Sequence, residues 1–148
     1  QSHSKPHAEA NAVLDFCPDR LGHALLLPPD LQRRLLQSQI PVEACPTSNV
    51  MTLELSRQKD GTHMTLVEGL KQHENLRQWL ASSHPLTIAT DDPGVFGTDL
   101  TKEYWLVART FAMDRAFLAK LAKSSLEFAF CDEGAKDSIR KQLAAQTR

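Results

Sequence analysis

Apolar positions along this chain alternate between helical spacing and short unbroken runs. Ala10, Val13 and Leu14 fall at helical spacing, Pro6 suits a first turn and Pro18 ends the element, so a helix is predicted over 7–16. The run RLGHALLL, 20–27, stops at Pro28 and Pro29 and predicts a strand; Leu31 and Leu35 then share one face of a helix over 30–39. The pattern repeats, with a strand over IPVEACP, 40–46, and a mostly helical segment over 63–82 whose apolar contacts are Leu66, Leu70, Leu76 and Leu80. LTIAT, 86–90, predicts a third strand, apolar and β-branched throughout as expected where both faces are covered. Leu100, Tyr104, Val107 and Phe111 mark a helix capped by Asp99 or Thr98, Phe117, Leu118 and Leu121 mark another, and Ile139 and Leu143 a last one. Strands alternating with helices imply an α/β fold with parallel strands. The polar stretch TLELSRQKDGTHMT, 52–65, is the longest loop candidate, either a cover for a ligand site or an ordinary surface insertion.

Composition narrows the function classes. At 148 residues, 41% hydrophobic and formal net charge −1, the chain is one ordinary domain or part of a larger one. The near-zero charge offers no basic field for nucleic acid, and no apolar run reaches the roughly 20 residues of a membrane span. The N-terminal QSHSKPHAEA has neither an initiator Met nor the apolar core of a signal peptide, so the sequence is expected to begin inside a longer protein. Cys17, Cys45 and Cys131 are odd in number and lack a C-x-x-C pair. They read as buried or free thiols in a reducing compartment, and a cytoplasmic protein is expected.

Chemistry gathers at the carboxyl ends of the three predicted strands, where (β/α) barrels carry their active sites. Those ends hold His23, then Cys45-Pro46-Thr47-Ser48-Asn49, then Thr90-Asp91-Asp92-Pro93. Singly, each has an ordinary explanation: a hydrogen-bonded core histidine, a turn, a solvated turn or helix cap. Together they crowd one rim. Two adjacent carboxylates ending a buried strand repel and lose water, a cost that a nearby metal ion would offset.

Arg20-Leu21-Gly22-His23, Pro46-Thr47-Ser48-Asn49, His84-Pro85, Thr90-Asp91-Asp92-Pro93-Gly94-Val95-Phe96 and Leu100-Thr101-Lys102-Glu103-Tyr104 occur in an order and spacing that resemble the C-terminal part of the adenosine and AMP deaminase family. The blocks are most similar to the adenosine deaminase-like branch, which deaminates N6-methylated AMP. The resemblance implies the last three βα units plus terminal helices of an eight-stranded (β/α) TIM barrel holding one zinc ion, with strands one to five absent from residues 1–148. It matches Asp91 to a zinc-ligand aspartate and Asp92 to the residue that hydrogen-bonds the purine and helps position the attacking water. It matches His23 to the histidine that lies against the zinc-bound water and assists its deprotonation. Zinc lowers the pKa of bound water to roughly 7, giving a hydroxide able to attack C6 of an adenine ring and release ammonia or methylamine. The implied partner is therefore a small purine nucleoside or nucleotide.

Departures from the family matter as well. Its His-x-His pair, its further zinc-ligand histidine and the glutamate three residues beyond have no secure counterpart here. His7-Ala8-Glu9 is one residue too short in spacing, and His3 and His7 read as a solvated helix start more readily than as a metal pair. Ala24 stands where the family usually has glycine. The expected parent activity is zinc-dependent deamination, with N6-methyl-AMP the leading substrate. The competing readings are a catalytically inactive fragment or isoform and a metal-free α/β ligand-binding domain.

Overall fold

A computed structural model describes residues 5–146. Three parallel strands, β1 (Leu21–Gly22), β2 (Val42–Ala44) and β3 (Leu86–Ile88), form a sheet in the order β1-β2-β3. Leu21 pairs with Val42, and Val42, Glu43 and Ala44 pair with Leu86, Thr87 and Ile88. Helix α1 (Lys5–Phe16) precedes β1, and α2 (Pro29–Ser38) crosses from β1 to β2. Between β2 and β3 come α3 (Pro46–Thr52), α4 (Leu66–Leu70) and α5 (Glu74–Ser82). After β3 follow the single turn α6 (Pro93–Phe96), then α7 (Leu100–Phe111), α8 (Arg115–Ser125), a 3-10 turn at Leu126–Phe128 and α9 (Glu133–Gln146).

The α/β alternation predicted from the sequence is present, but each strand is shorter than its apolar run. The 20–27 run leaves extended geometry at His23, because His23, Ala24 and Leu26 all have positive φ (57°, 48° and 55°). The ladder ends with one last bond, His23 N–H donating to the Glu43 carbonyl at 2.8 Å. Residues 40–46 contract to Val42–Ala44, and Pro46 opens a helix at the position where its fixed φ and missing N–H cost nothing. Pro-Thr-Ser-Asn is thus the first turn of α3 instead of a free turn.

The helical segment expected over 63–82 is two helices. Thr65 starts α4 with a reciprocal capping box, its side chain accepting from Glu68 N–H while Glu68 accepts from Thr65 N–H. His73 starts α5, its ring accepting from Leu76 N–H. His63 lies outside both, bridged antiparallel to Arg57 within the polar loop. Asp99 caps α7 through Lys102 N–H at 2.8 Å, whereas Thr98 turns its hydroxyl to Glu103.

Trp79, Leu76, Leu70, Leu35, Val42, Val50 and Val107 are fully buried and join the sheet to its helices. Gly69 permits α4 to lie against α3, since a Cβ there would stand 2.8 Å from Val50 Cγ1. His84 ties the beginnings of β2 and β3 together by a 2.9 Å bond to the Ile40 carbonyl. It lies at the end of the sheet opposite the polar rim. Among the described residues no helix is long and apolar enough to cross a membrane.

Candidate active site

The three strands deliver their polar residues to one rim. His23 directly follows β1, and its left-handed backbone turns the ring away from the strand direction. Ser48 and Asn49 sit on the first turn of α3, immediately beyond β2. Asp91 follows β3 by three residues and also has positive φ, 60°.

Ser48 Oγ–H donates to Asp91 Oδ2 at 2.7 Å. His23 Nε2 lies 3.8 Å from the same oxygen, and both side chains are about two-fifths exposed, so the pair faces solvent. Behind it, His23 Nδ1 and Asn49 Oδ1 are 2.8 Å apart, and Asn49 Nδ2 and His73 Nε2 are 3.1 Å apart. Asn49 is fully buried and His73 nearly so. Burial pushes the His73 pKa down to about 4, so the ring is neutral at physiological pH.

The two adjacent aspartates diverge. Both are exposed, but Asp91 is directed to Ser48 and His23, whereas Asp92 Oδ1 accepts Val95 N–H at 3.2 Å as the cap of α6. The left-handed turn at Asp91 separates the charges by aiming them in different directions. Of the expected site residues, the fold therefore brings His23 and Asp91 together and sets Asp92 at the outer edge.

In the sequence Ser48, Asn49 and Glu103 stand only as members of the resemblance blocks, and His73 belongs to none of them. Glu103 on α7 is fully buried and accepts Thr47 N–H at 2.9 Å and Thr98 Oγ–H at 2.5 Å. Its carboxylate meets the N-terminal turn of α3, where unpaired N–H groups and the helix dipole favour negative charge. Glu103 thus anchors the helix that carries Ser48 and Asn49. The one sequence signal was a glutamate four residues before Val107 on the buried face of an amphipathic helix.

The cysteines do not join this chemistry. Cys45 is buried, and desolvation together with the charges of Asp91, Glu43 and Glu103 raises its thiol pKa to about 12. It is a neutral packing group beside the rim. Cys17 and Cys131 are exposed and unbridged. His7 Nε2 lies 2.8 Å from Asp30 Oδ2, tying α1 to the start of α2; His3, its suggested metal partner, lies outside the described residues.

Among the described residues no group of three or more His, Cys, Asp or Glu side chains is arranged to hold a metal. Zinc takes four donors in most protein sites, or three plus water in catalytic ones. Asp91 offers one carboxylate, with Ser48 on the same oxygen, so the described residues alone do not fit a complete zinc site. An open groove of about 650 Å³ between α3, α4 and α7 is lined by Thr47, Lys102, Trp105 and Arg109, among others, and does not include His23 or Asp91.

Residues 4–146 match the family described as Adenosine deaminase, and the chain belongs to that family. It is 35% identical over 140 residues to the N6-Methyl-AMP deaminase of Bos taurus, covering 90% of this chain and 36% of that protein. It is 34% identical over 155 residues to the Aminodeoxyfutalosine deaminase of Streptomyces coelicolor, covering 98% and 37%. Among solved structures, Arabidopsis ADAL complexed with IMP superposes with a TM-score of 0.81 at 29% identity, covering 97% of this chain and 38% of that one. The chain therefore spans under two-fifths of the length of these relatives. Its sheet and helices are part of an adenosine deaminase-type (β/α) barrel.

Proposed function

We propose that this chain is the C-terminal part, residues 1–148, of a zinc-dependent deaminase that hydrolytically removes the 6-amino substituent of an adenine nucleoside or nucleotide, with conversion of N6-methyl-AMP to IMP the leading case. The observation that carries this reading is the convergence of His23, Ser48 and Asp91 at the carboxyl ends of three parallel strands. Family membership and the similarity to the bovine N6-methyl-AMP deaminase support the reaction class, and the IMP complex of the Arabidopsis relative supports the product.

In this reading Asp91 would give one carboxylate to the metal, with the other ligands coming from the rest of the barrel, and zinc held there would supply the acidity that lets water react near neutral pH. Ser48 fixes the Asp91 carboxylate by its 2.7 Å bond. His23, with Nε2 toward Asp91, holds the attacking water by a hydrogen bond and assists its loss of a proton. Asp92 binds the purine ring. A carboxylate accepts several hydrogen bonds, so its cap to Val95 is compatible with that role. The free thiols agree with a cytoplasmic setting. As an isolated chain, with Asp91 its one assigned zinc ligand, it is inactive.

The test is Asp91→Asn in the full-length protein, with zinc measured by elemental analysis, fold by circular dichroism and amine release from adenosine, AMP and N6-methyl-AMP. Expected are a retained fold, loss of most bound zinc and loss of nearly all deamination. Wild-type zinc and turnover in the folded variant would sink the assignment.

A further inference from the structure

Hydrogen-bond bookkeeping behind His23 restricts where its proton can sit. Leu76 N–H donates to His73 Nδ1 at 3.2 Å, so that nitrogen is an acceptor and carries no hydrogen. A neutral imidazole has one hydrogen, which at His73 must then be on Nε2. Burial keeps this ring neutral, with its pKa down at about 4. Nε2 stands 3.1 Å from the Asn49 carboxamide. With Asn49 Nδ2 toward His73 and Oδ1 toward His23, both nitrogens of His73 would have to accept, and two N–H groups would confront each other in a buried place. Turning the carboxamide by 180° removes the conflict, because the oxygen and nitrogen of such a group exchange places without altering its shape.

We infer that His73 and Asn49 are positioning residues that set the tautomer of His23. His73 Nε2–H donates to Asn49 Oδ1, Asn49 Nδ2–H donates to His23 Nδ1, and His23 carries its hydrogen on Nε2, the nitrogen facing Asp91. The chain of contacts starts at a helix cap on α5, crosses α3 and ends at the rim after β1. A 3.8 Å separation from Asp91 Oδ2 is too long for a direct bond, so the Nε2–H is available to an oxygen set beside the pair and within reach of both. This deepens the proposed deaminase reading and rests on it for its catalytic meaning. Through Nε2–H, His23 meets the reacting oxygen as a donor: it assists that oxygen's loss of a proton by stabilising the negative charge that develops there, and does not itself take the proton.

Neutron diffraction from crystals of the deuterated full-length protein, grown near pH 8 where ordinary histidines are neutral, locates these hydrogens directly. Deuterium is expected on Nε2 of both His73 and His23, with none on either Nδ1. Asn49→Asp keeps the side-chain shape but only accepts, so deuterium should then appear on His23 Nδ1. Its kcat should fall about 10- to 100-fold, as for other residues that orient a site group, with KM and zinc content nearly unchanged. His73→Leu should show a similar loss and His73→Gln, which retains an N–H toward Asn49, should recover much of it. Deuterium on His23 Nδ1 in the wild type, or its absence from His73 Nε2, overturns the inference. Wild-type kcat in a folded Asn49→Asp protein overturns the positioning role. If the variants fail to fold, the wild-type map alone decides, and it does so even if the protein proves not to be a deaminase.

Discussion

Removing the Glu103 carboxylate should loosen the rim from behind. Its side chain is fully buried on α7 and takes Thr47 N–H at 2.9 Å and Thr98 Oγ–H at 2.5 Å. Hydrogen bonds to a charged group contribute about 1.5–3 kcal/mol each, and a buried donor left without its partner costs about 1–3 kcal/mol. Glu103→Ala strands both donors and opens a small cavity, so its cost should be about 3–5 kcal/mol. Glu103→Gln can keep its oxygen on Thr47 N–H and donate its NH2 to the Thr98 hydroxyl, so it loses the charge but strands no donor, for about 1 kcal/mol. Thr98→Val removes one partner while the Thr47 bond remains, at about 1 kcal/mol. Urea unfolding of the full-length variants measures these differences, and the Glu103→Ala, Thr98→Val pair should be non-additive because the two groups share a bond. Since α3 carries Ser48 and Asn49, kcat should fall in both Glu103 variants even under conditions where each is fully folded. A Glu103→Ala protein within 1 kcal/mol of wild type would refute the view that this carboxylate anchors α3.

His23→Ala, which removes a hydrogen-bond donor to the reacting oxygen, should retain zinc while kcat falls on the order of 10²-fold, and equal loss of both would make His23 a ligand. His73 predicts a stability profile against pH. Its folded pKa of about 4 lies below the ordinary 6.5, so between those values the unfolded chain binds more protons and stability declines as pH falls, by at most about 3 kcal/mol, with the full contribution present above pH 6.5. His73→Gln should flatten that part of the curve, and an unchanged slope would remove His73 as its source. Among the described residues β1 and β3 each keep an unpaired edge, and Phe16, Leu26, Val95 and Phe130 are largely exposed. At about 25 cal/mol per Å² of apolar surface, several hundred Å² in water costs about 10 kcal/mol, comparable with a domain's whole stability. The isolated chain should therefore aggregate or need a partner, and should release no amine from N6-methyl-AMP with added zinc; a soluble, active monomer in sedimentation and turnover assays would contradict this.

The hydrophobic pattern by itself determined the α/β alternation, the cores of the strands around Val42 and Leu86–Ile88, and the helix faces bearing Leu35, Leu76 and Val107, because burial selects apolar residues at the period of each element. It also marked Asp91 as a strand end, since a polar group following an apolar run shows where a chain leaves the sheet, whereas His23 stands inside the 20–27 run and only the structure ends β1 there. Strand lengths were not readable: His23, Ala24 and Leu26 turn left-handed although none of the three is a glycine, a strain that surrounding contacts impose. The break at His73 was equally hidden, because a histidine acting as a helix cap has no distinct periodicity. Only tertiary structure joined Glu103 to Thr47, 56 residues away, Ser48 to Asp91, 43 away, and His73 to Asn49, 24 away. Hydrogen bonds between buried groups depend on distance and direction in space, and residues tens of positions apart leave no local trace of meeting.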